Sequence, residues 1–289
     1  MGDPTGPTVR RRRLGGELRT LRELLGLDQA AAAKHLECST SKISRLETGQ
    51  GIAKLMEIKS LLDLYKVDDP AARTKILEIH KAASQQGWWE QPQYETVLPS
   101  GLGVYVGLEY DARALRTWEL GYVPGLLQTE AYARAVLSSG VRPADEVERL
   151  VDVRRQRQQR LTATTSQPLE LWAIIDETAL LRPVGGKATM REQIHHMVQA
   201  AALPNVTLQV YPLNKTAHPG MKGAFTLLDF EAAEPVIGYV DSHAGNVFLE
   251  RDKQTRALAH TFDRLRAGAL DPDASVARLN DRATEESKP

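Results

Sequence analysis

One short stretch of this sequence contains two helical patterns with a tight turn between them. Asp28 is a favourable N-cap for a first helix over 29–36, and Ser39 is a favourable N-cap for a second helix over 39–48. Gly49 then ends the second helix, because glycine readily adopts the left-handed conformation that follows many helix C-termini. Two short helices joined in this way form a helix-turn-helix, which is the arrangement that this stretch predicts.

The second helix has one apolar face and one face made of short hydroxyl side chains and an arginine. At about 100° per residue, Ile43 and Leu46 define the apolar face. The exposed side carries Thr40, Ser41, Ser44, Arg45 and Thr48. Arginine binds guanine in a bidentate manner, and small hydroxyl residues let the backbone approach base edges and phosphates. Glu47 lies nearer the apolar face, where a partly buried carboxylate needs a partner.

Residues 25–50, LGLDQAAAAKHLECSTSKISRLETGQ, resemble the Xre-type helix-turn-helix family, which includes the lambda phage repressor. The resemblance covers 10–66 and implies an all-α domain that binds double-stranded DNA. By position, it implies that Arg22 and Glu47 form the family's buried ion pair. It also implies a set of DNA-binding residues: Gln29, Ser39, Thr40, Ser41, Lys42, Ser44, Arg45 and Thr48. Within this set, Gln29 contacts phosphate or base, and Lys42 and Ser44 are backbone or supporting contacts.

The sequence departs from the family pattern at two positions. Ala32 stands where a larger aliphatic residue is common, so the core is expected to be thinner there. Glu37 stands where the turn often has glycine. If this position requires a positive φ, Glu37 carries about 1 kcal/mol of strain.

Charge is distributed unevenly along the chain. Residues 1–66 carry a net charge of +4 and the remainder carries −4, although the whole chain is neutral. This asymmetry suggests a polyanionic partner for the first part only. The arginine run 10–13 has two readings: a solvated helix start, or an arm that contacts phosphates.

The rest of the chain divides by pattern into further segments. Residues 1–9 are predicted to be a flexible tail, 10–87 the DNA-binding domain with a following helix, 88–103 a packed linker, 104–270 an α+β domain, and 271–289 a flexible tail. Further helices are predicted over 107–121, 130–138, 144–161, 187–202 and 252–267. Strands are predicted over 169–175, 206–212, 224–230, 236–241 and 246–250. The predicted fold is therefore an all-α domain joined to an α+β domain with a mainly antiparallel sheet.

The stretch WELGYVPGLLQTEAYARAVL, residues 118–137, resembles the C-terminal domain of actinobacterial regulators that join an Xre-type domain to an Scr1-type, WhiJ-like domain. Residues 238–250, GYVDSHAGNVFLE, share this resemblance. It implies a transcriptional regulator whose second domain mediates dimerisation and responds to a ligand or to a small protein encoded nearby. An antitoxin-like protein that mainly binds this small partner, with DNA binding for autoregulation, is the alternative.

Some side chains of the second part have two readings each. The four tryptophans can line a ligand pocket or fill a core; they are Trp88, Trp89, Trp118 and Trp172. Leu126 and Leu127 can dock a partner or fill the same core. In both cases the core is the favoured reading, because large apolar side chains are most often buried.

The sequence argues against several classes of protein. It has no apolar run long enough to cross a membrane, and its single cysteine, Cys38, fits a reducing cytoplasm. Motifs for zinc peptidases, nucleotide phosphates and the nucleophile elbow are absent. Asp241, Ser242 and His243 have the residue types of a catalytic triad, but neighbouring residues point apart. We therefore expect a cytoplasmic, nucleoid-associated homodimer that is not an enzyme and that needs no cofactor or metal.

Overall fold

In the computed structural model, the chain forms two structural units. The structure describes residues 7–98, 101–164, 167–231, 234–242 and 245–285. The N-terminal unit comprises Met1–Gln91 together with Val106–Asp111. The C-terminal unit comprises Pro92–Tyr105 together with Ala112–Pro289.

The N-terminal unit is helical, and it contains the two helices predicted over 29–36 and 39–48. In chain order, its helices are α1 (Pro7–Leu24), α2 (Gln29–His35), α3 (Thr40–Glu47), α4 (Leu55–Leu64) and α5 (Pro70–Ala83). A 3₁₀ turn follows at Trp88–Glu90. The Asp28 carboxylate accepts a hydrogen bond from the Ala31 amide at 2.7 Å, so α2 has the N-cap that the sequence predicts. The shared core includes Leu14, Leu18, Ala32, Ile43, Leu46, Ile58, Leu61 and Leu62.

The predicted flexible tail at 1–9 is wrong for the part that the structure describes. Helix α1 already begins at Pro7, and Val9 is only 3% exposed. The reason is a contact that is distant in sequence: the Val9 amide donates to the Asp111 carboxylate at 2.9 Å. A carboxylate that accepts from a first-turn amide stabilises the start of a helix.

The C-terminal unit contains a six-stranded sheet with helices around it. The strands are β1 (Ala114–Glu119), β2 (Glu170–Asp176), β3 (Val206–Tyr211), β4 (Phe225–Asp229), β5 (Ile237–Val240) and β6 (Val247–Leu249). The helices are α6 (Pro92–Glu95), α7 (Leu102–Asp111), α8 (Glu130–Leu137), α9 (Ala144–Gln158), α10 (Thr178–Leu181), α11 (Lys187–Ala201), α12 (Asp252–Gly268) and α13 (Pro272–Glu285). Of α7, residues 106–111 belong to the N-terminal unit.

The sheet is mixed, with the strand order β3-β2-β1-β4-β5-β6. Strand β2 pairs in parallel with β1 and with β3, whereas the β1–β4, β4–β5 and β5–β6 pairs are antiparallel. The predicted α+β class is confirmed, with three antiparallel and two parallel pairings. Helix α12 covers one face, where Phe262 and Leu265 pack with Trp118, Ile174 and Leu227.

Two elements of this unit differ from the sequence prediction. The helix predicted over 107–121 is wrong beyond Asp111, because Ala114–Glu119 form β1, a central strand between β2 and β4. Its sequence, ALRTWE, lacks the alternation of apolar and polar residues that identifies half-buried strands. The tail after 271 is wrong as far as Glu285, because α13 packs its buried Leu279 inward.

The segment predicted as a packed linker, 88–103, contains the 3₁₀ turn Trp88–Glu90, helix α6 and the start of α7, and its residues 99 and 100 lie outside the described part. Trp89 is buried, and its ring lies 5.1 Å from that of Tyr110 within the N-terminal unit. The first part of this segment is therefore built into the helical unit, which extends beyond the predicted boundary at 87.

Candidate nucleic-acid interface

Helix α3 is defined at both ends by the residues that the sequence predicts. The Ser39 hydroxyl accepts a hydrogen bond from the Lys42 amide at 3.2 Å, which caps the N-terminus. Gly49 follows the C-terminus with a φ of 69°, the left-handed conformation that favours glycine. Ile43 and Leu46 are buried, so the helix has a fixed inner face.

The outer face of α3 presents the predicted hydroxyl and arginine side chains. Thr40, Ser41 and Arg45 are exposed. In the described ranges, no hydrogen bond or ion pair engages the Arg45 guanidinium, which can therefore bind a ligand without breaking an internal contact. Thr48 is also exposed, but its hydroxyl donates to the Ser44 carbonyl at 2.9 Å. The Thr48 side chain thus helps to end the helix.

A buried ion pair holds the inner side of α3 against α1. Arg22 Nε lies 2.6 Å from Glu47 Oε1, and Arg22 Nη2 lies 2.9 Å from Glu47 Oε2. The two side chains are 7% and 3% exposed, and the hydrogen bond to Glu47 raises the pKa of Arg22. Because this bidentate pair is enclosed, removal of one partner would leave an uncompensated buried charge.

Gln29 joins this ion pair from the start of α2. Its amide nitrogen donates to Glu47 Oε2 at 2.9 Å, and its side chain is half-buried. A glutamine amide carries two N–H donors, so one can hold Glu47 while the other points elsewhere. The geometry therefore makes Gln29 a support for α3, and its predicted contact with phosphate or base stays a prediction.

Lys42 is tied to the following helix. Its Nζ forms an ion pair with Glu57, and the other oxygen of Glu57 accepts from the Lys54 amide at 2.8 Å. Glu57 thus caps α4 and fixes Lys42 at the same time. The sequence prediction includes Lys42 but does not identify Glu57, since their separation of 15 residues is not a helix-face spacing.

Two glycines allow the backbones of α1 and α3 to approach closely. A Cβ at Gly15 would overlap the Leu46 carbonyl oxygen and would lie 2.6 Å from that of Glu47. A Cβ at Gly49 would lie 2.6 Å from Arg12 Cα. These distances are shorter than a Cβ tolerates, and most of the neighbouring atoms belong to backbone, so the position of α3 is set by direct contact with α1.

The arginine run 10–13 lies within α1, and Arg11 has a structural role. Its guanidinium donates to the carbonyls of Ala83 and Gln85, each at 2.9 Å, and forms an ion pair with Glu90. For Arg11, therefore, neither a solvated helix start nor a phosphate-contacting arm describes the side chain. It joins α1 to the end of α5 and to the turn that follows.

The turn between α2 and α3 contains Glu37, the residue for which the sequence analysis considers a positive φ. Glu37 has a φ of 51°, in the left-handed region where a side chain costs free energy. The turn therefore requires a positive φ, and glutamate occupies it at a cost of about 1 kcal/mol. The conditional prediction about Glu37 is confirmed for the backbone.

Comparison with known families matches both parts of the chain. A family model described as a helix-turn-helix domain matches residues 13–74, which contain α2 and α3. A second model, described as a domain of unknown function (DUF5753), matches residues 102–281, more than half of the chain. This chain belongs to the DUF5753 family. The helix-turn-helix match indicates a DNA-binding regulator. Searches of curated proteins and of solved structures gave no match.

Within the DUF5753 region, glutamine side chains support the buried segment that follows β1. Gln193 Nε2 donates to the Leu127 carbonyl at 2.6 Å, and Gln193 Oε1 accepts from the Thr129 amide at 2.7 Å. Gln158 Nε2 donates to the Gln128 carbonyl at 2.6 Å. Buried backbone groups that lack partners within regular structure need such side chains, so these glutamines stabilise the short 3₁₀ turn Gly125–Leu127 and the residues that follow it.

The apolar side chains of this region fill the core rather than a binding surface. Leu126 and Leu127 are buried, so the reading in which they dock a partner is wrong. An open cavity of about 510 Å³ lies along α11 and includes Thr129, His195 and His196 in its lining. None of the four tryptophans lines that cavity, and Trp89 and Trp118 are buried.

One acidic side chain of the DUF5753 region has a strongly perturbed pKa. Burial raises the pKa of Glu119 to about 7, and the nearby Asp241 carboxylate acts in the same direction. The Thr117 hydroxyl donates to Glu119 at 3.3 Å and opposes the shift. Glu119 is the last residue of β1, so this carboxyl with a raised pKa lies at the C-terminal end of a central strand.

Clustered metal ligands and membrane-spanning helices are both absent from the described part of the chain. It contains no group of three or more His, Cys, Asp or Glu side chains that could hold a metal ion. Its helices include none that is both long and apolar enough to cross a membrane. His243, the third of the adjacent triad-type residues, lies outside the described residues.

Proposed function

We propose that this protein is a sequence-specific transcriptional regulator of the Xre type, which reads the major groove with α3. The observation that carries the proposal is the exposed face of α3, where Arg45 has no internal partner among the described residues and lies on the same face as Thr40 and Ser41. The opposite side of α3 is immobilised by the Arg22–Glu47 pair. A fixed helix with a free arginine on its outer face is suited to bidentate readout of a guanine.

The remaining residues of the proposed interface act around this centre. Ser39 and Ser44 flank the reading face, and Thr48 lies at its C-terminal end. Gln29 contacts the DNA backbone with its second amide hydrogen, while Lys42 supports α3 through Glu57. Backbone contacts position the domain on the duplex, and base contacts select the sequence.

A single helix-turn-helix has a small footprint, so we propose a homodimer on a two-part site. The DUF5753 region, as an Scr1-type domain, mediates dimerisation and binds a ligand or a small neighbour-encoded protein. The protein acts by binding and not by catalysis, in the cytoplasm and on the nucleoid. Its resemblance to WhiJ-like regulators supports this part of the proposal. Co-purification of a small partner at a 1:1 ratio would support the antitoxin-like alternative.

The first experiment measures binding of the full chain to its own upstream DNA across a series of salt concentrations. Wild type is compared with Arg45→Ala, Arg45→Lys and Arg256→Ala. Arg256 is an exposed arginine of the C-terminal unit, paired only with Asp252 in the described residues, so its removal matches the change in net charge. Loss of one bidentate base contact is worth about 1–3 kcal/mol.

The proposal predicts that Arg45→Ala loses sequence preference, whereas Arg256→Ala binds as wild type does. Arg45→Lys should retain salt-sensitive, non-specific binding but lose the preference, because lysine lacks the planar fork of arginine. If Arg45→Ala remains folded and keeps both the affinity and the sequence preference, α3 is not the reading helix. If folded wild type binds no DNA at any salt concentration, the proposed function is wrong for the isolated protein.

A further inference from the structure

The first helix of the DNA-binding unit is held at its start by residues from outside the helix-turn-helix match. The Val9 amide donates to Asp111 Oδ2 at 2.9 Å, so the last residue of α7 caps the first turn of α1. Asp111 is far outside the helix-turn-helix match at 13–74 and lies inside the DUF5753 match at 102–281. The family region therefore supplies a cap to the helical unit.

A second contact fixes the same two helices. A Cβ at Gly107 would overlap the Thr8 hydroxyl and would lie 2.9 Å from the Trp89 ring. Thr8 is itself buried. Glycine at 107 thus lets α7 lie directly on the first turn of α1, and Tyr110 contacts Trp89 one turn further along.

The start of α1 also packs against α3, the helix proposed to contact the DNA bases. Arg12, one turn after Thr8 and Val9, packs its backbone against Gly49 at the C-terminal end of α3. Further along α1, Gly15 lies against the Leu46 and Glu47 carbonyls. A displacement or fraying of the first turns of α1 would therefore move the C-terminal end of α3.

We propose that residues 106–111 are positioning residues for DNA binding, which act on α3 through α1. This inference rests on the proposed function, because DNA affinity is its main readout. Helix α7 thereby has a regulatory role, because a change in the capping of α1 by Asp111 changes the affinity for the operator. A partner or ligand that acts on α7 would then alter DNA binding without contacting α3.

The test uses two pairs of matched variants in the full chain. Gly107→Ala inserts a methyl group against Thr8, whereas Gly103→Ala, one turn earlier in α7, meets only Leu98 at 3.7 Å, an ordinary contact. Asp111→Ala removes the acceptor for the Val9 amide, whereas Asp111→Asn keeps a side-chain oxygen that can accept the same hydrogen bond. Specific affinity and non-specific affinity are measured well below each variant's melting temperature.

Couplings between distant sites usually span about 5- to 150-fold in affinity, and we expect a loss of about tenfold for specific DNA in Gly107→Ala and Asp111→Ala. Gly103→Ala should bind as wild type does, and Asp111→Asn should recover most of the affinity. Non-specific binding should change little, because it depends on charge more than on the placement of α3. Hydrogen exchange should show faster exchange in the first turns of α1 in Asp111→Ala.

The results separate this inference from the proposed function. If wild type binds its operator but folded Gly107→Ala and Asp111→Ala bind equally well, residues 106–111 have only a stabilising role and the inference is wrong. If Gly107→Ala does not fold, the comparison of specific DNA affinity between Asp111→Ala, Asp111→Asn and wild type decides whether the inference is wrong. If wild type binds no DNA while hydrogen exchange in Asp111→Ala is faster in α1 and at the end of α3, the mechanical connection stands and the proposed function fails.

Discussion

The adjacent glycines of α1 give the sharpest test of how the reading helix is held. Gly15 faces α3, where a Cβ would lie 2.6 Å from the Glu47 carbonyl oxygen. Gly16 is exposed, and a Cβ there would have no neighbour within 4 Å outside its own helix among the described residues. The two substitutions Gly15→Ala and Gly16→Ala are therefore chemically identical and differ only in what the added methyl group meets.

Helix propensity acts equally at both positions. Alanine is more favourable than glycine in a helix interior by about 1 kcal/mol, so Gly16→Ala should raise the free energy of unfolding by about that amount. At Gly15 the same gain is opposed by overpacking, which typically costs about 1–3 kcal/mol. Backbone carbonyls cannot move aside as a flexible side chain can, so the upper half of that range applies. We expect a difference of about 2–3 kcal/mol between the variants.

The assay is urea unfolding of the full chain, followed by circular dichroism, with DNA affinity measured on the same samples. Gly16→Ala should unfold at higher urea than wild type and should bind DNA equally well. Gly15→Ala should unfold at lower urea and should bind specific DNA more weakly, since α3 must shift to admit the methyl group. Equal stability of the two variants would refute the close backbone contact between α1 and α3.

Three further predictions concern single side chains. At Glu37, where φ is positive, the glycine variant should be about 1 kcal/mol more stable than the alanine variant, whereas at the helical position Lys34 the order should reverse; thermal melts of the four variants check this. Arg22→Ala should lose about 3–5 kcal/mol of stability because Glu47 stays buried without its partner, whereas Arg45→Ala should change stability by less than about 0.5 kcal/mol; an unchanged melting temperature for Arg22→Ala would disprove the importance of the pair. Burial raises the pKa of Glu119 from its ordinary 4.5 to about 7. The unfolded chain therefore loses this proton at lower pH than the folded chain does. The free energy of unfolding should fall as pH rises from 4.5 to 7, by at most about 3 kcal/mol. Urea titrations at pH 5 and pH 8 should show this fall in wild type, and a fall of the same size in Glu119→Gln would contradict it.

The helix-turn-helix could be predicted because its signals are local. Asp28 and Ser39 cap helices within three residues of themselves, and Gly49 terminates α3 within the same turn. The apolar face of α3 follows from helical geometry alone. Burial of Glu47 could be inferred in the same way, because its angular position is only about 40° from that of Ile43, on the apolar face.

The C-terminal unit was less predictable because its main determinants are pairings between distant strands. The sequence of β1, ALRTWE, gives no clean alternation of apolar and polar residues, and the strand is defined by its pairing with β2 and β4, which are distant in sequence. Helix α13 is polar along most of its length, and it packs against α11 and β3, where Ser275 Oγ accepts from the Val210 amide at 2.9 Å. The strand pairings of β1 and the hydrogen bond of Ser275 both join residues far apart in sequence, so a pattern over about ten residues cannot predict them.

The boundary of the DNA-binding unit also depends on contacts between residues that are distant in sequence, and these contacts affect DNA binding. The face of α3 that reads DNA is determined by residues 39–48, but its placement depends on Gly15, on the Arg22–Glu47 pair and, through α1, on Asp111. A fragment limited to the matched residues 13–74 would retain every side chain of the proposed interface and lose the cap on α1. Specific affinity should therefore fall in such a fragment more than non-specific affinity, because base contacts require α3 to be held in position whereas phosphate contacts depend mainly on charge.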